Sequence, residues 1–260
     1  MTTPPLRLTF LGTGTSQGVP VIGCGCEVCA SADERDKRLR VSVLVQSART
    51  TLVVDAGPDF RQQMLRAGVA TLNGVLLTHE HNDHIIGMDD VRPFNFRRGG
   101  GDMPIYALPR VAASVQERFA YAFAENPYPG APRFALTEIN GKHAFAVGDI
   151  PVQPVELLHG RLPILGYRFG ELAYLTDTKT ISEAERQKVR GCKVLILNAL
   201  HHYTHHSHLN LEEALALIED LEPERAYLTH CSHYMGRYAA INPTLPEGVA
   251  LAWDGLVLEV

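Results

Sequence analysis

The run Thr78-His79-Glu80-His81-Asn82-Asp83-His84-Ile85 places four potential metal ligands, His79, His81, Asp83 and His84, within six residues. Unprotonated imidazole and carboxylate are the groups that zinc and manganese accept, and four so close together suit two divalent cations side by side. Ahead of them lies Gly74-Val75-Leu76-Leu77-Thr78, a short, apolar, β-branched stretch that predicts a buried strand. A ligand cluster just past a buried strand sits on a loop held by a rigid scaffold, where chemistry is commonly placed. A polar turn merely rich in histidine would not need this H-x-H-x-D-H spacing.

A pair of cations needs more than four ligands. Three further positions repeat the strand-end placement: His159 after Val155-Glu156-Leu157-Leu158, Asp177 after Tyr174-Leu175-Thr176, and His230 after Tyr227-Leu228-Thr229. A carboxylate is the natural bridge between two cations, and Asp177 suits that role. Three of the five cysteines crowd together as Cys24-Gly25-Cys26-Glu27-Val28-Cys29. In a reducing compartment this clustering argues for metal rather than disulfides. Three thiolates are one ligand short of a closed tetrahedral zinc site, and His233 or Cys231 completes it. Cys192, before the apolar run Val194–Leu197, reads as a buried small hydrophobe.

Elsewhere, alternation at Leu6, Leu8 and Phe10 predicts a half-buried first strand running into the glycine-rich Gly12–Gly18, read as a tight turn. Strands are expected at 41–45, 51–55, 153–158, 166–169, 172–176, 194–198 and 226–229. Helical spacing falls at 59–67, 109–124, 182–190 and 211–221, with Asn210 and Glu213 as an N-cap pair. Pro127, Pro129, Gly130 and Pro132 mark a surface loop, with a lid as the alternative. No linker or low-complexity segment divides the chain, which predicts one domain over residues 1–260. Strand–helix–strand order in both halves suits an α/β sandwich.

With 45% hydrophobic residues the 260-residue chain can bury a sizeable core. A net charge of −5, from 24 basic and 29 acidic residues, gives no general attraction to nucleic acid or to a membrane surface. Arg92, Arg97 and Arg98 are one example of a local basic group, although an arginine-containing loop is more often just solvated. The N-terminal stretch shows no signal-peptide pattern and no apolar run approaches the roughly 20 residues that span a bilayer, so a cytoplasmic protein is expected.

Together, His79-x-His81-x-Asp83-His84, then His159, Asp177 and His230, with Asp55 closing an earlier strand, resemble the metallo-β-lactamase superfamily over nearly the whole chain. The resemblance implies an αββα sandwich of two mixed β-sheets flanked by helices. It implies one metal on His79, His81 and His159, a second on Asp83, His84 and His230, and Asp177 between them. Leu11 to Pro20 followed by C-x-C-x-x-C, Gly87-Met88-Asp89-Asp90-Val91-Arg92-Pro93 and Leu158-His159-Gly160 are similar to the phosphodiesterases of the carbon–phosphorus lyase pathway. Those cleave a phosphoribosyl cyclic phosphate, carry an extra zinc on three cysteines and a histidine, and imply a homodimer.

The segment His208-Leu209-Asn210-Leu211-Glu212-Glu213-Ala214 resembles the histidine motif of transfer-RNA 3′-processing endonucleases. By that resemblance His208 acts at the leaving group, with His205 as its rival and Asp83 the other catalytic residue. One departure is Asn198-Ala199-Leu200, where related chains often carry an aspartate.

The expected activity is therefore hydrolysis of a small cyclic phosphodiester by two zinc or manganese ions, with a third, structural zinc and no stable nucleic-acid partner. The rivals are a transfer-RNA 3′ endonuclease, which needs a basic docking surface, a thioester or lactam hydrolase, and a non-catalytic binding protein. The last need not keep seven ligands and His208 together.

Overall fold

The computed structural model describes residues 4–260; residues 1–3, part of the stretch read for a targeting signal, lie outside the described residues. Six strands come first: β1 (Arg7–Gly12), β2 (Ser42–Gln46), β3 (Thr51–Val54), β4 (Gly74–Leu76), β5 (Met103–Ala107) and β6 (Phe134–Glu138). Seven more follow: β7 (Phe145–Val147), β8 (Ile150–His159), β9 (Leu162–Phe169), β10 (Leu172–Leu175), β11 (Val194–Asn198), β12 (Arg225–Thr229) and β13 (Val249–Leu251). The last, β14 (Val257–Glu259), returns to pair with β1.

They form two seven-stranded sheets, ordered β14-β1-β2-β3-β4-β5-β6 and β13-β12-β11-β10-β9-β8-β7. Each is mixed. The β1–β2–β3 and β7–β8–β9–β10 runs are antiparallel, and the β3–β4–β5–β6 and β10–β11–β12–β13 runs are parallel.

Strand alternation builds the layers. Leu52 and Val54 of β3, Leu172 and Tyr174 of β10, and Val194 and Ile196 of β11 all face the core between the sheets. Their neighbours point outward and are buried too: Val53 under the helices of the first sheet, Ala173, Leu175, Leu195 and Leu197 under those of the second. Burial on both faces explains why these strands read as unbroken apolar runs.

Helices α1 (Phe60–Arg66), α2 (Asn82–Ile85), α3 (Arg92–Arg97) and α4 (Pro109–Arg118) belong to the first half of the chain. Of these, α1 and α4 put Phe60, Met64, Val111 and Val115 onto the first sheet. In the second half lie α5 (Glu183–Gln187), α6 (Leu211–Leu221) and α7 (Tyr238–Ile241). Ala214, Leu217, Ile218 and Leu221 of α6 pack on the second sheet, and its Asn210–Glu213 capping box is complete. The result is the expected αββα sandwich.

The helix predicted over 109–124 stops at Arg118. Phe119 leaves the helical region at φ −110°, ψ 33°, and with Phe123 turns onto Phe134 of β6. Strands β5, β6, β7, β13 and β14 lacked a clear sequence signal because they are short or, like β6, half-exposed.

Candidate metal centre

The centre forms where strands of both sheets end. From the first sheet, the loop after β4 brings His79, His81, Asp83 and His84. From the second, β8 ends on His159, Asp177 follows β10, His230 follows β12, and His208 stands ahead of α6. Asp55, Asp177 and His230 have left-handed backbones with φ of 65°, 58° and 55°. L-residues rarely adopt this, and it costs of order 1–3 kcal/mol each, so surrounding structure must hold these turns. The turn after β3 packs directly on the ligand loop. A Cβ on Gly57 would lie 1.9 Å from the Asp83 carbonyl oxygen, and one on Gly87 1.9 Å from that of Gly57.

Ligand-bearing atoms gather in overlapping groups, each within 4.8 Å: His79, His81 and His159; His79, His84 and Asp177; Asp83, His84 and His230; His159, Asp177 and His208. His79 Nε2 lies 2.9 Å from His81 Nδ1. Asp177 turns Oδ2 toward His84 Nε2 at 3.6 Å and Oδ1 toward His230 Nε2 at 3.2 Å. The outer nitrogens of His84, His159 and His79 are anchored. His84 Nδ1 donates to Asp55 Oδ2 at 2.7 Å, and His159 Nδ1 donates to the Asp177 carbonyl at 2.9 Å. Thr78 Oγ1 donates to Asp55 Oδ2, so it accepts from His79 Nδ1 at 3.0 Å. Each of these three rings therefore has its inner nitrogen free as a lone-pair donor, the arrangement that ligating histidines need.

Electrostatics point to a cation. Asp55, Asp83 and Asp177 converge on one buried region. Burial alone would lower His84, but Asp177, Asp55 and Asp83 outweigh it and hold it well above its ordinary value. Burial depresses His79, His81 and His230 and, helped by His230, takes His208 down to about 2, so these four imidazoles stay neutral. His84 Nε2, His208 Nδ1 and both His230 nitrogens are buried without a hydrogen-bond partner. Orphaned inward nitrogens beside carboxylates fit divalent cations.

One pH consequence follows. His79, His81, His208, His230 and, nearer the surface, His201 and His205 are all depressed by burial, and His84 alone is raised. A depressed histidine is protonated first in the unfolded chain, so stability falls as pH drops below the unfolded value of about 6.5. His84 works the other way but is outnumbered. Thermal melts in chelator should therefore show the metal-free protein losing stability from pH 7 to pH 5; a flat or rising midpoint would contradict this charge balance.

Helix α4 braces the ligand loop at its two non-ligand positions. Arg110 Nη1 donates to both Glu80 carboxylate oxygens at 2.8 and 3.0 Å, and Arg118 Nε donates to Asn82 Oδ1 at 3.1 Å. Arg110 also reaches the Pro163 carbonyl at the start of β9. Because outer contacts of this kind contribute about 10–100-fold to metal affinity, Arg110→Ala should weaken zinc binding by about tenfold. Competition against a chromophoric chelator measures this, and unchanged affinity would reduce α4 to packing.

A second cluster lies outside the main centre. The sulfurs of Cys24, Cys26 and Cys29 are 3.4, 3.4 and 3.5 Å from His233 Nδ1. Tetrahedral zinc, with its usual bond lengths, separates sulfur from nitrogen by about 3.5 Å. Cys231 is not part of this group; it is buried with its sulfur 3.6 Å from the Thr229 carbonyl. Only Cys231 and Ser232 separate His230, facing the main centre, from His233, facing the thiols.

The backbone N–H of Cys29 is the main influence lowering Cys26 to about 6, whereas burial raises Cys29 to about 11. The apolar cluster under this loop is small, with Val19, Val28 and Cys29 buried and Val21, Cys24 and Cys26 packed against them. Cys29→Ser should therefore expose residues 19–31 to limited proteolysis while the sheets stay folded; a cleavage pattern identical to wild type would refute it.

Other sequence readings resolve structurally. The glycine-rich loop directs its amides into its own chain, with Gly14 N–H donating to the Leu39 carbonyl and Gly18 N–H to that of Thr15. Arg92 pairs with Asp89, Arg97 reaches the Ala70 carbonyl and Arg98 that of Leu72, so these three make no free basic patch. In the proline-rich loop, Tyr128 accepts from Arg92 Nη1 at 3.0 Å. Asn198, in the segment noted as a departure, accepts from Thr178 N–H at 2.6 Å and donates to its carbonyl at 3.1 Å, fixing the turn that carries Asp177.

Residues 50–231 match the family described as the Beta-lactamase superfamily domain. A solved structure described as a new diphosphatase from the PhnP family superposes with a TM-score of 0.93 at 39% identity, over 100% of this chain and 98% of that one. The chain belongs to the beta-lactamase superfamily and, within it, to the PhnP family. As a superfamily member it is a hydrolase, with residue groups suited to metal.

An octanoyltransferase from Porphyromonas gingivalis is 42% identical over 253 residues, covering 96% of this chain and 51% of that protein. Ribonuclease Z from Bacillus subtilis is 25% identical over 169 residues, 64% of this chain and 49% of that protein. The chain thus spans about half the length of these two curated relatives. No helix among the described residues is long and apolar enough to cross a membrane.

Proposed function

We propose that this PhnP-family chain hydrolyses a small phosphate diester, a cyclic phosphate or a diphosphate-linked compound, with two divalent cations. The observation that carries the reading is Asp177, one carboxylate whose two oxygens face different donors, Oδ2 toward His84 and Oδ1 toward His230. His79, His81 and His159 would hold one cation, Asp83, His84 and His230 the other, and Asp177 would serve both. Zinc or manganese there supplies Lewis acidity and a nucleophile from water near neutral pH. Cys24, Cys26, Cys29 and His233 would hold a structural zinc that ties the N-terminal loop to the turn after β12.

The chain's own residues do the rest. His208 Nδ1 lies 3.8 Å from Asp177 Oδ1, and its ring stacks on His230 at 4.7 Å, which fixes its orientation. Its other nitrogen, Nε2, then gives the proton to the departing oxygen. Burial keeps this ring neutral in the free chain. The negative charge of a bound phosphate raises its affinity for a proton, so His208 is charged as the acid only with substrate present. The related diphosphatase supports chemistry at phosphorus, and the tied-down arginines and net charge of −5 favour a small substrate over RNA.

The test is a panel of a phosphoribosyl cyclic phosphate, 2′,3′-cyclic nucleotides, a dinucleoside diphosphate and a transfer-RNA precursor, offered to protein loaded with zinc or manganese. Turnover of the small compounds with inert RNA supports the reading. RNA cleavage with inert small diesters would make the chain a processing nuclease.

A further inference from the structure

His79, His84 and His159 are each held by a hydrogen bond to the outer ring nitrogen, but His230 is not. Both of its ring nitrogens are buried without a partner among the described residues. With no bond to its side chain, the angle at which this ring enters the centre is left to its backbone. That backbone is left-handed, with φ of 55°, a conformation that an L-residue holds only where its surroundings enforce it.

Both peptide planes beside His230 are enforced. Ala199 N–H donates to the Thr229 carbonyl at 2.9 Å and fixes the plane before it. Cys231 N–H donates to the Thr13 carbonyl at 2.9 Å and fixes the plane after it. The first bond comes from the end of β11 in the same sheet. The second crosses from the glycine-rich loop after β1, which belongs to the other sheet.

Thr13 is itself locked in place. Its hydroxyl accepts from Arg38 Nη1 at 2.9 Å and donates to Asp254 Oδ1 at 2.8 Å. The same Nη1 donates to the Ala252 carbonyl at 2.7 Å, and Asp254 Oδ2 accepts from Leu39 N–H at 2.8 Å. Thr13 is fully buried and Arg38 is 4% exposed. Burying a guanidinium carries a desolvation cost, so packing alone would be served as well by an apolar side chain. The glycines on either side of Thr13 permit the close approach. A Cβ on Gly12 would lie 1.9 Å from the Arg40 carbonyl oxygen, and one on Gly14 2.9 Å from that of Arg38.

We propose that Thr13, held between Arg38 and Asp254, is the positioning residue for His230. It sets the ring through the peptide plane that follows it, in place of the side-chain anchor the other three histidines have. The glycine-rich loop thus serves the centre without touching it. Which cation feels the clamp rests on the two-cation reading above, since His230 belongs with Asp83 and His84; the clamp itself does not rest on it.

Thr13→Val keeps the shape and the carbonyl and loses the hydroxyl, and Thr13→Ser restores the hydroxyl. Arg38→Met releases Thr13 from the other side, and carries the test should Thr13→Val fail to fold. Zinc is titrated against a competing chelator, with the imidazole ¹⁵N signals followed in both the metal-free and the loaded protein. Outer contacts contribute about 10–100-fold to metal affinity, so Thr13→Val and Arg38→Met should weaken one of the two main-centre cations by about tenfold or more. The His230 signals should shift and broaden while those of His79 and His159 stay in place, and Thr13→Ser should behave as wild type. Equal weakening of both cations, signals of all the histidines moving together, or His230 signals unchanged would overturn the proposal. Wild type binding fewer than two cations at the main centre, with His230 still perturbed in metal-free Thr13→Val, would leave the positioning role standing and remove the two-cation reading.

Discussion

Asp177→Asn is expected to lower kcat/KM by about 10³-fold or more, with bound metal at the main centre falling below two ions per chain. The change is nearly isosteric, so packing is kept and the negative charge is the main thing lost. Burial would push this carboxyl up, but His230, His84 and His208 hold it well below the ordinary range, so it is an anion at working pH. An amide offers one neutral oxygen where the carboxylate offers two charged ones, so the two donor sets no longer share an anion. Several kcal/mol of transition-state charge stabilisation depends on both cations, and each 1.36 kcal/mol is tenfold in rate. Elemental analysis alongside turnover checks this. A variant retaining two ions and activity within tenfold of wild type would show that Asp177 is only a neighbour of the centre.

The candidate centre was legible because the residues that gather there obey a local rule. Each follows or closes a short apolar strand, and strand ends in a stacked pair of sheets are brought to one edge by the topology. What surrounds the ligands obeys no such rule. Asp55 read only as a strand stop, yet its carboxylate orients His84 across 29 positions of sequence. Arg110 lay inside a predicted amphipathic helix, with nothing to show that its guanidinium reaches back to Glu80. These contacts depend on how helices settle on a sheet, which a one-dimensional pattern does not encode. The choice between His233 and Cys231 was of the same kind. Both residues follow β12, and only the direction of the chain after the left-handed turn at His230 decides which meets the thiols. The missed strands share a cause too, since β13 and β14 are three residues long, below the span over which alternation can be read.

His208→Ala is expected to lower kcat on cyclic or alkyl phosphodiesters by about 10²–10⁴-fold, the range of a positioned acid, with metal content unchanged. The side chain belongs to the group with His159 and Asp177, but its Nδ1 stands 3.8 Å from Asp177 Oδ1. His159 and His230 would remain as candidate ligands without it. The nature of the leaving group separates an acid from a mere spacer. A sugar or alkyl oxygen leaves poorly without a proton, whereas p-nitrophenolate leaves as a stable anion. The variant should therefore lose less than about tenfold on bis(p-nitrophenyl) phosphate, because a proton delivered there contributes little. His205→Ala should show no such dependence, since that ring lies one step further out and its Nδ1 is occupied by the Ser207 amide. If His208→Ala lost the same factor on both kinds of substrate, its role would be to shape the pocket. If His205→Ala alone showed leaving-group dependence, the acid would be His205.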